Sequence, residues 1–399
     1  MITIPESVLI KTCSIHTSQI KKIFDSKCEI LNVCLEYYNR RSINSKNDFN
    51  SKINKFRIND NIKIQSINWF LKTSKKADDN NRFKISKITN TENFFKDKNR
   101  RFNISNTQLR DEIKQRIDYF SKNIELILSE KPRFIYDFSC KFNDSIKSND
   151  ARKISMIKEL IFFLFDYEIF SKKESIYTTD WGAYKLTEEL QANTCLYCNR
   201  AFTITVVNND ISIIRPELDH FLPKSIHPIL SLSFYNLIPS CHICNSNLKG
   251  KINFSLDKYF HPYLSCFDKQ KVRFKYYPKV EGDLTDDPII NEIQLDLSLV
   301  SKNKTQIEAN IKLFKLNEIY NEHKEILQSL QKLQYNQKRL EDIFSNILVD
   351  KDDNPIFNTE KEIYELFIRN KYSESDFHKS LLAKFERDLA IDIGLITEK

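Results

Sequence analysis

From Leu109 the apolar positions Ile113, Ile117, Phe120, Ile124 and Leu128 return every three or four residues, which aligns them along one face of a helix. Asn106 and Thr107, just ahead, are capping-type residues, so a long amphipathic helix is predicted from about there. Segments 153–171 and 183–191 also favour helix, making the first 185 residues mostly α-helical, with the polar stretch 73–81 as a loop. Between Ala201 and Leu218 the period changes: Phe202, Ile204 and Val206 alternate with polar or small neighbours, and Ile211, Ile213 and Ile214 follow the turn-forming Asn208-Asn209-Asp210. A hairpin is predicted whose second strand delivers Asp219-His220. Asn236-Leu237-Ile238 reads as a short strand ended by Pro239, and Asn245 to Lys249 as the start of a helix.

Beyond Cys266 the chain turns acidic and turn-rich, with Gly282, Asp283 and Asp286-Asp287-Pro288 marking irregular backbone. Helical periodicity resumes behind a capping-box pattern, Thr305 with Glu308, and runs through Ile311, Phe314, Ile319, His323, Leu327, Leu330 and Leu333. Ser375 to Leu389 forms another amphipathic stretch. The predicted fold class is α+β, mostly α-helical, in three segments: a helical domain over 1–185, a small β-containing module over 186–265, and a helical domain over 266–399.

The longest apolar run, Leu160 to Phe165, falls far short of the ~20 residues that cross a bilayer, so no membrane anchor is expected. The formal net charge is +8, and residues 51–100 carry all of it, with thirteen Lys and Arg against five Asp and Glu. Such a block attracts a polyanion, although Lys and Asn enrichment throughout the chain is also plain compositional drift. Phe56, Trp69, Phe70, Phe83, Phe94 and Phe95 within it are either base-stacking aromatics or the core of a basic helical domain. With only four glycines, the chain contains no phosphate-cradling Gly-rich loop, so any nucleotide hydrolysis falls to another protein.

Four of the nine cysteines form two Cys-x-x-Cys pairs, Cys195/Cys198 and Cys241/Cys244. Two residues between thiolates let both sulfurs reach a tetrahedral Zn²⁺ at about 2.3 Å, and two such knuckles close a structural site. The alternatives are four reduced core thiols or two disulfides. An odd cysteine total and the lack of a signal peptide point to a reducing, cytoplasmic setting. Cys13, Cys28, Cys34, Cys140 and Cys266 show no pairing and read as small core residues.

The two pairs bracket Glu217-Leu-Asp-His-Phe-Leu-Pro-Lys224 and Asn236-Leu-Ile-Pro-Ser-Cys241, and Cys244-Asn-Ser-Asn-Leu-Lys-Gly250 follows. In order and spacing this text resembles the HNH, or ββα-metal, endonucleases of the subgroup with a four-cysteine zinc ribbon. The resemblance covers about residues 190–255 and implies that the 186–265 module is a ββα-metal (HNH) domain pinned by structural zinc. It further implies His220 as general base, Asp219 and Asn245 as ligands of a catalytic Mg²⁺ or Mn²⁺, and Asn236 as the residue whose backbone hydrogen bonds aim His220. The competing readings are a helix cap for Asn245 and a turn residue for Asn236. Lys224, Lys249 and Lys251 are candidate phosphate contacts or solvated surface lysines. His227, His242 and His261 are expected to be surface or hydrogen-bonding groups, because four thiolates saturate zinc. The loop between His220 and Asn236 lacks the family's usual glycines. Together with Asn-Leu-Ile-Pro-Ser-Cys, it is more similar to HNH effectors of bacterial anti-phage systems, such as Septu and retron-associated nucleases, which work with an ATPase subunit.

The expected function is metal-dependent endonucleolytic hydrolysis of DNA, or of RNA, with nucleic acid and an ATPase as partners. A zinc ribbon that binds nucleic acid without cutting it, or a scaffold subunit, is the competing expectation.

Overall fold

The computed structural model describes all residues except 41, 57–59, 72–93, 97–106, 147–149, 173–180, 209–210, 280–289, 340–342, 344–347, 349, 352–353, 358 and 398–399. The chain is mostly helical, with three two-stranded sheets among the described residues. It divides into two compact units, one of Met1–Ile10, Thr187–Phe221 and Ile238–Lys399, the other of Lys11–Leu186 and Leu222–Leu237. Segments 186–265 and 266–399 therefore fall almost wholly in the first unit. The exception is 222–237, which belongs to the second.

The second unit contains most of α1 (Glu6–Tyr37) and all of α2 (Ile43–Lys55), α3 (Asp60–Trp69), α4 (Thr107–Ser129), α5 (Pro132–Ser145), α6 (Ala151–Leu164), the single turn α7 (Tyr167–Phe170) and the first half of α8 (Ala183–Leu190). The periodic residues Ile113, Ile117, Phe120, Ile124 and Leu128 of α4 are all buried, because 3.6 residues per turn stacks them on one face. That face meets α6 and the turns at Pro228–Leu230 and Phe234–Asn236, so the 222–237 excursion fills the core with Ile229, Leu230 and Phe234. A second cluster fixes the role of four of the six aromatics in the basic segment: Trp69, Phe70, Phe94 and Phe95 are buried, Phe94 stacked on Phe49 at 4.9 Å and edge-on to Tyr38 at 5.8 Å, while Phe56 is half-buried. The four buried rings are core, each contributing roughly 1.5–3 kcal/mol of burial, and not a surface for bases. The stretch 73–81 and Phe83 lie outside the described residues.

In the first unit, β1 (Val206–Asn208) and β2 (Ile211–Ile214) form the expected hairpin, but it ends at Ile214. Asp219-His220 comes from a separate strand, β3 (Glu217–His220), which pairs with β4 (Leu237–Ser240). Arg215-Pro216 breaks the run, so the second hairpin strand does not carry the site. Pro239 does not end β4, since a two-stranded sheet leaves each strand one unpaired edge where a missing N–H costs nothing. Helix does follow the second cysteine pair, but as a wide π-turn over Ile243–Lys249, closed by Gly250 at φ 49°.

Beyond Cys266 the described chain forms a seven-residue antiparallel hairpin, β5 (Arg273–Lys279) and β6 (Ile290–Asp296), which the residue pattern did not predict; Gly282, Asp283 and Asp286-Asp287-Pro288 lie outside the described residues. Among the described residues, helices follow at α9 (Lys304–Leu313), α10 (Leu316–Asn321), α11 (Lys324–Tyr335), α12 (Glu360–Phe367) and α13 (Ala383–Asp392). Thr305 and Glu308 make no capping box, because the N-cap of α9 is Asn303, in the left-handed region and two residues before Thr305. The capping box belongs to α12, where Thr359 and Glu362 exchange backbone hydrogen bonds of 3.1 and 3.2 Å.

Both outer edges of the β5–β6 hairpin are satisfied by helix side chains. Asp388 and Asp392 of α13 accept from the N–H groups of Phe274 and Tyr276, at 3.1 and 2.9 Å. Asn321 and Asn317, in and beside the same turn of α10, accept from Ile293 and Leu295, at 2.9 and 3.0 Å. Two residues along a strand and four along a helix both advance roughly 6 to 7 Å, so an i, i+4 pair matches alternate strand N–H groups. The exposed edges that a lone hairpin would offer to other chains are thereby closed.

Candidate metal centre and adjoining polar face

Cys195 and Cys198 lie on a tight loop whose Cys195 N–H donates to the Ala201 carbonyl at 3.0 Å. Asn199, at φ 53°, supplies the left-handed residue after the second thiol, and its side-chain amide donates to Thr194, Phe377 and Ser380. Asparagine is one of the few residues besides glycine that takes this conformation cheaply. The Cys241/Cys244 loop closes from the other side, with the Cys244 N–H directed at the Cys241 sulfur at 3.5 Å.

All four sulfurs lie within 4.8 Å of one another, three of the residues buried and Cys241 half-buried. No disulfide forms among the nine cysteines. Four thiols gathered in this way, with an N–H to sulfur contact in the knuckle, fit a tetrahedral metal such as Zn²⁺ and leave no open position on it. The four thiols share hydrogen bonds that pull in opposite directions: those from Cys195, Cys198 and Cys244 hold the Cys241 thiol below its ordinary range, while Cys244 is raised by its neighbours and by burial. The cluster is pinned to the rest of the unit by Tyr197, stacked on Phe314 at 4.5 Å, and by Tyr320, whose hydroxyl donates to the Cys198 carbonyl.

Next to the knuckles, β3 and the π-turn meet through two sets of side-chain bonds. Asp219 is 3% exposed, and both of its oxygens are engaged: Tyr197 Oη donates to Oδ2 at 2.6 Å, and Lys249 Nζ to Oδ1 at 2.5 Å. Lys249, also 3% exposed, donates in addition to the His220 carbonyl at 2.6 Å and sits 4.7 Å over the Phe254 ring. Two residues earlier on the same strand, Glu217 accepts from His242 Nδ1 at 2.6 Å, Asn245 Nδ2 at 2.8 Å and Ser246 Oγ at 2.9 Å. Burial would raise the Glu217 carboxyl, but these three donors hold it below the usual carboxylate range, and Glu217 in turn raises His242.

Among the sequence-derived candidates, the structure brings together Asp219 with Lys249, and Asn245 with Glu217. Lys249 is not a surface lysine available to phosphate; its ammonium is buried against Asp219, because a long stem lets the charge reach inward to the one carboxylate in range. Lys224 is paired with Glu168 at 2.6 Å, and Lys251 is exposed. Asn236 is buried, accepting from the Leu222 N–H at 2.7 Å and donating to the carbonyls of Leu222 and Leu230, both at 3.0 Å. His220 is half-buried at the end of β3. His227 is bonded to Ser139 at 2.9 Å, and His261 packs on Phe221 at 4.3 Å.

Asp219 as it stands does not fit an open ligand for a catalytic divalent ion, since an ammonium occupies the oxygen such an ion would need. Glu217 and Tyr197 are the partners that sequence reasoning missed. The signal for Glu217 was present: a residue two before Asp219 on a strand shares its face.

The fold and this site define a mostly helical α+β protein with a four-thiol centre flanked by a polar face of carboxylate, amide, imidazole and ammonium groups. Over 140 residues, 33% of this chain and 51% of the relative, it is 29% identical to the Septu protein PtuB of Bacillus thuringiensis. The chain thus spans about half the length of the curated relative it matches. No family model matches the chain, and no solved structure does.

Proposed function

We propose that this chain is an HNH-type endonuclease that hydrolyses phosphodiester bonds, DNA before RNA, as the effector of a bacterial anti-phage system with an ATPase partner. The observation that carries it is the convergence behind the four-thiol cluster: Asp219 with Lys249 and Glu217 with Asn245 hold β3 against the Cys241–Lys249 segment, so the chain text Asp219-His220 and Cys244-Asn245 meets in space. Zinc in the thiol cluster would clamp the strands, not react. His220 is the general base, an imidazole whose ordinary pKa near 6.5 lets it take a proton from water at neutral pH. Asn236 fixes the backbone at Leu222, two residues beyond His220. A divalent ion, when bound, supplies charge neutralisation at the phosphorane and leaving oxygen.

The defence role is supported by the relative named Septu protein PtuB. An ATPase partner suits a sequence without a phosphate-cradling loop. Among the described residues no helix is long and apolar enough to cross a membrane. One observation favours the competing reading, a zinc ribbon that binds nucleic acid without cutting: the buried Lys249 neutralises Asp219.

The two readings separate when purified protein, alone and with any ATPase found encoded next to its gene, meets plasmid DNA and total RNA in Mg²⁺ or Mn²⁺. The expected result is cleavage that His220→Ala lowers by about 10²–10⁴-fold at unchanged zinc content. Absence of cleavage under every condition would leave the binding reading.

A further inference from the structure

The nuclease reading needs a divalent ion, yet the carboxylate its resemblance designates is already spoken for. A cation at Asp219 would have to evict the Lys249 ammonium from a site where both residues are 3% exposed and where Tyr197 holds the second oxygen. Glu217 offers different surroundings on the same face of β3. Its side chain is 37% exposed, and the imidazole of His242 beside it 68% exposed. Four side chains meet there: Glu217, His242, Asn245 and Ser246, with separations of 2.6, 2.8 and 2.9 Å from the Glu217 oxygens.

We propose that Glu217, Asn245 and His242 form the divalent-cation site of this face, and that Asp219 is the structural partner of Lys249. That the ion serves catalysis rests on the nuclease reading; that it binds here rests on the geometry. Donors at right angles around an ion, each about 2.1 Å from it, stand about 3 Å apart, close to the 2.6 and 2.8 Å that separate His242 Nδ1 and Asn245 Nδ2 from the Glu217 carboxylate. An ion entering takes the place of the shared hydrogens: His242 gives up its Nδ1 proton to solvent, and rotation of the Asn245 amide presents Oδ1 in place of Nδ2. One carboxylate, one amide oxygen and one imidazole nitrogen suit Mn²⁺ better than Ca²⁺, which takes oxygen donors. Exposure of His242 leaves positions for water or a phosphate oxygen. His242 and Asn245 each adjoin a zinc-cluster cysteine, Cys241 and Cys244, so the thiol cluster pre-sets two of the three ligands.

The test is Mn²⁺ titration of the zinc-loaded full chain, followed by the paramagnetic signal of the free ion. Glu217→Gln, nearly isosteric and half-exposed, is expected to weaken Mn²⁺ binding at least about tenfold, and His242→Ala in the same direction. The double variant Asp219→Asn/Lys249→Met, which removes both buried charges together, is expected to bind Mn²⁺ as the wild type does. Unchanged affinity in Glu217→Gln, loss in a folded double variant, or no wild-type binding overturns the proposal. Should the double variant fail to fold, Glu217→Gln decides alone. His220→Ala keeps the two readings apart. Mn²⁺ bound through Glu217 in a protein that never cleaves would retain the site and sink the nuclease, whereas His220-dependent cleavage with Mn²⁺ indifferent to Glu217 would do the reverse.

Discussion

His16 shows how completely a single residue's chemistry is set by its surroundings. Its Nε2 donates to the Leu232 carbonyl at 2.7 Å, and its Nδ1 accepts from the Trp181 indole at 3.2 Å, so the ring is held neutral. Burial depresses its pKa to about 4. An unfolded histidine titrates near 6.5, so between that value and about 4 the unfolded chain binds the extra proton. The stability contributed by neutral His16 is therefore complete above about pH 6.5 and is lost as pH falls toward 4, up to about 3 kcal/mol. Denaturant melts at pH 7, 5.5 and 4.5 should show a smaller acid loss in His16→Leu than in the wild type; equal losses would place the proton elsewhere. Asp219 and Lys249 are the same lesson in opposite charges: nothing in either residue's identity says that they face each other and not solvent.

At the scale of elements, the thiol cluster joins two loops separated by more than forty residues and holds β3, β4 and the π-turn in one place. Metal binding in such a site is folding free energy for the segments it joins. Cys241→Ser, or a strong chelator, should lower the thermal midpoint of the first unit and abolish Mn²⁺ binding along with it, read by calorimetry and by zinc released per chain. A Cys241→Ser protein with an unchanged midpoint and full zinc content would refute the clamp. Helix α4 was readable from periodicity, since burial of one face is recorded directly in residue spacing, whereas α1, α2, α3 and α5 were covered only by the general expectation of a helical first 185 residues. The β5–β6 hairpin was not, because its edge bonds come from Asn317, Asn321, Asp388 and Asp392, far along the chain. The N-cap of α9 was misread for a local reason: Lys304 and Thr305 are compatible with either start, and packing chose between them.

On the scale of the whole molecule, the first unit is assembled from three stretches of chain, and the chain leaves it between Phe221 and Ile238 to contribute Ile229, Leu230 and Phe234 to the other core. The net charge of +8 is concentrated in residues 51–100, where Trp69, Phe70, Phe94 and Phe95 are core, so a nucleic-acid contact there rests on charge and not on those four rings. Replacing Lys75, Lys76, Lys84 and Lys87 with Gln should flatten the dependence of duplex binding on log salt by up to about four counterions' worth. A slope identical to the wild type would remove this segment from the interface.

By itself the sequence determined the mostly helical class, the buried face of α4, the two cysteine pairs and their meeting, because periodicity and ligand spacing are local records of burial and coordination. Only the tertiary structure decided that Lys249 turns inward to Asp219 and that Glu217 takes Asn245, His242 and Ser246. Those choices depend on which side chains are desolvated together, a property of the assembled unit that no spacing along the chain encodes.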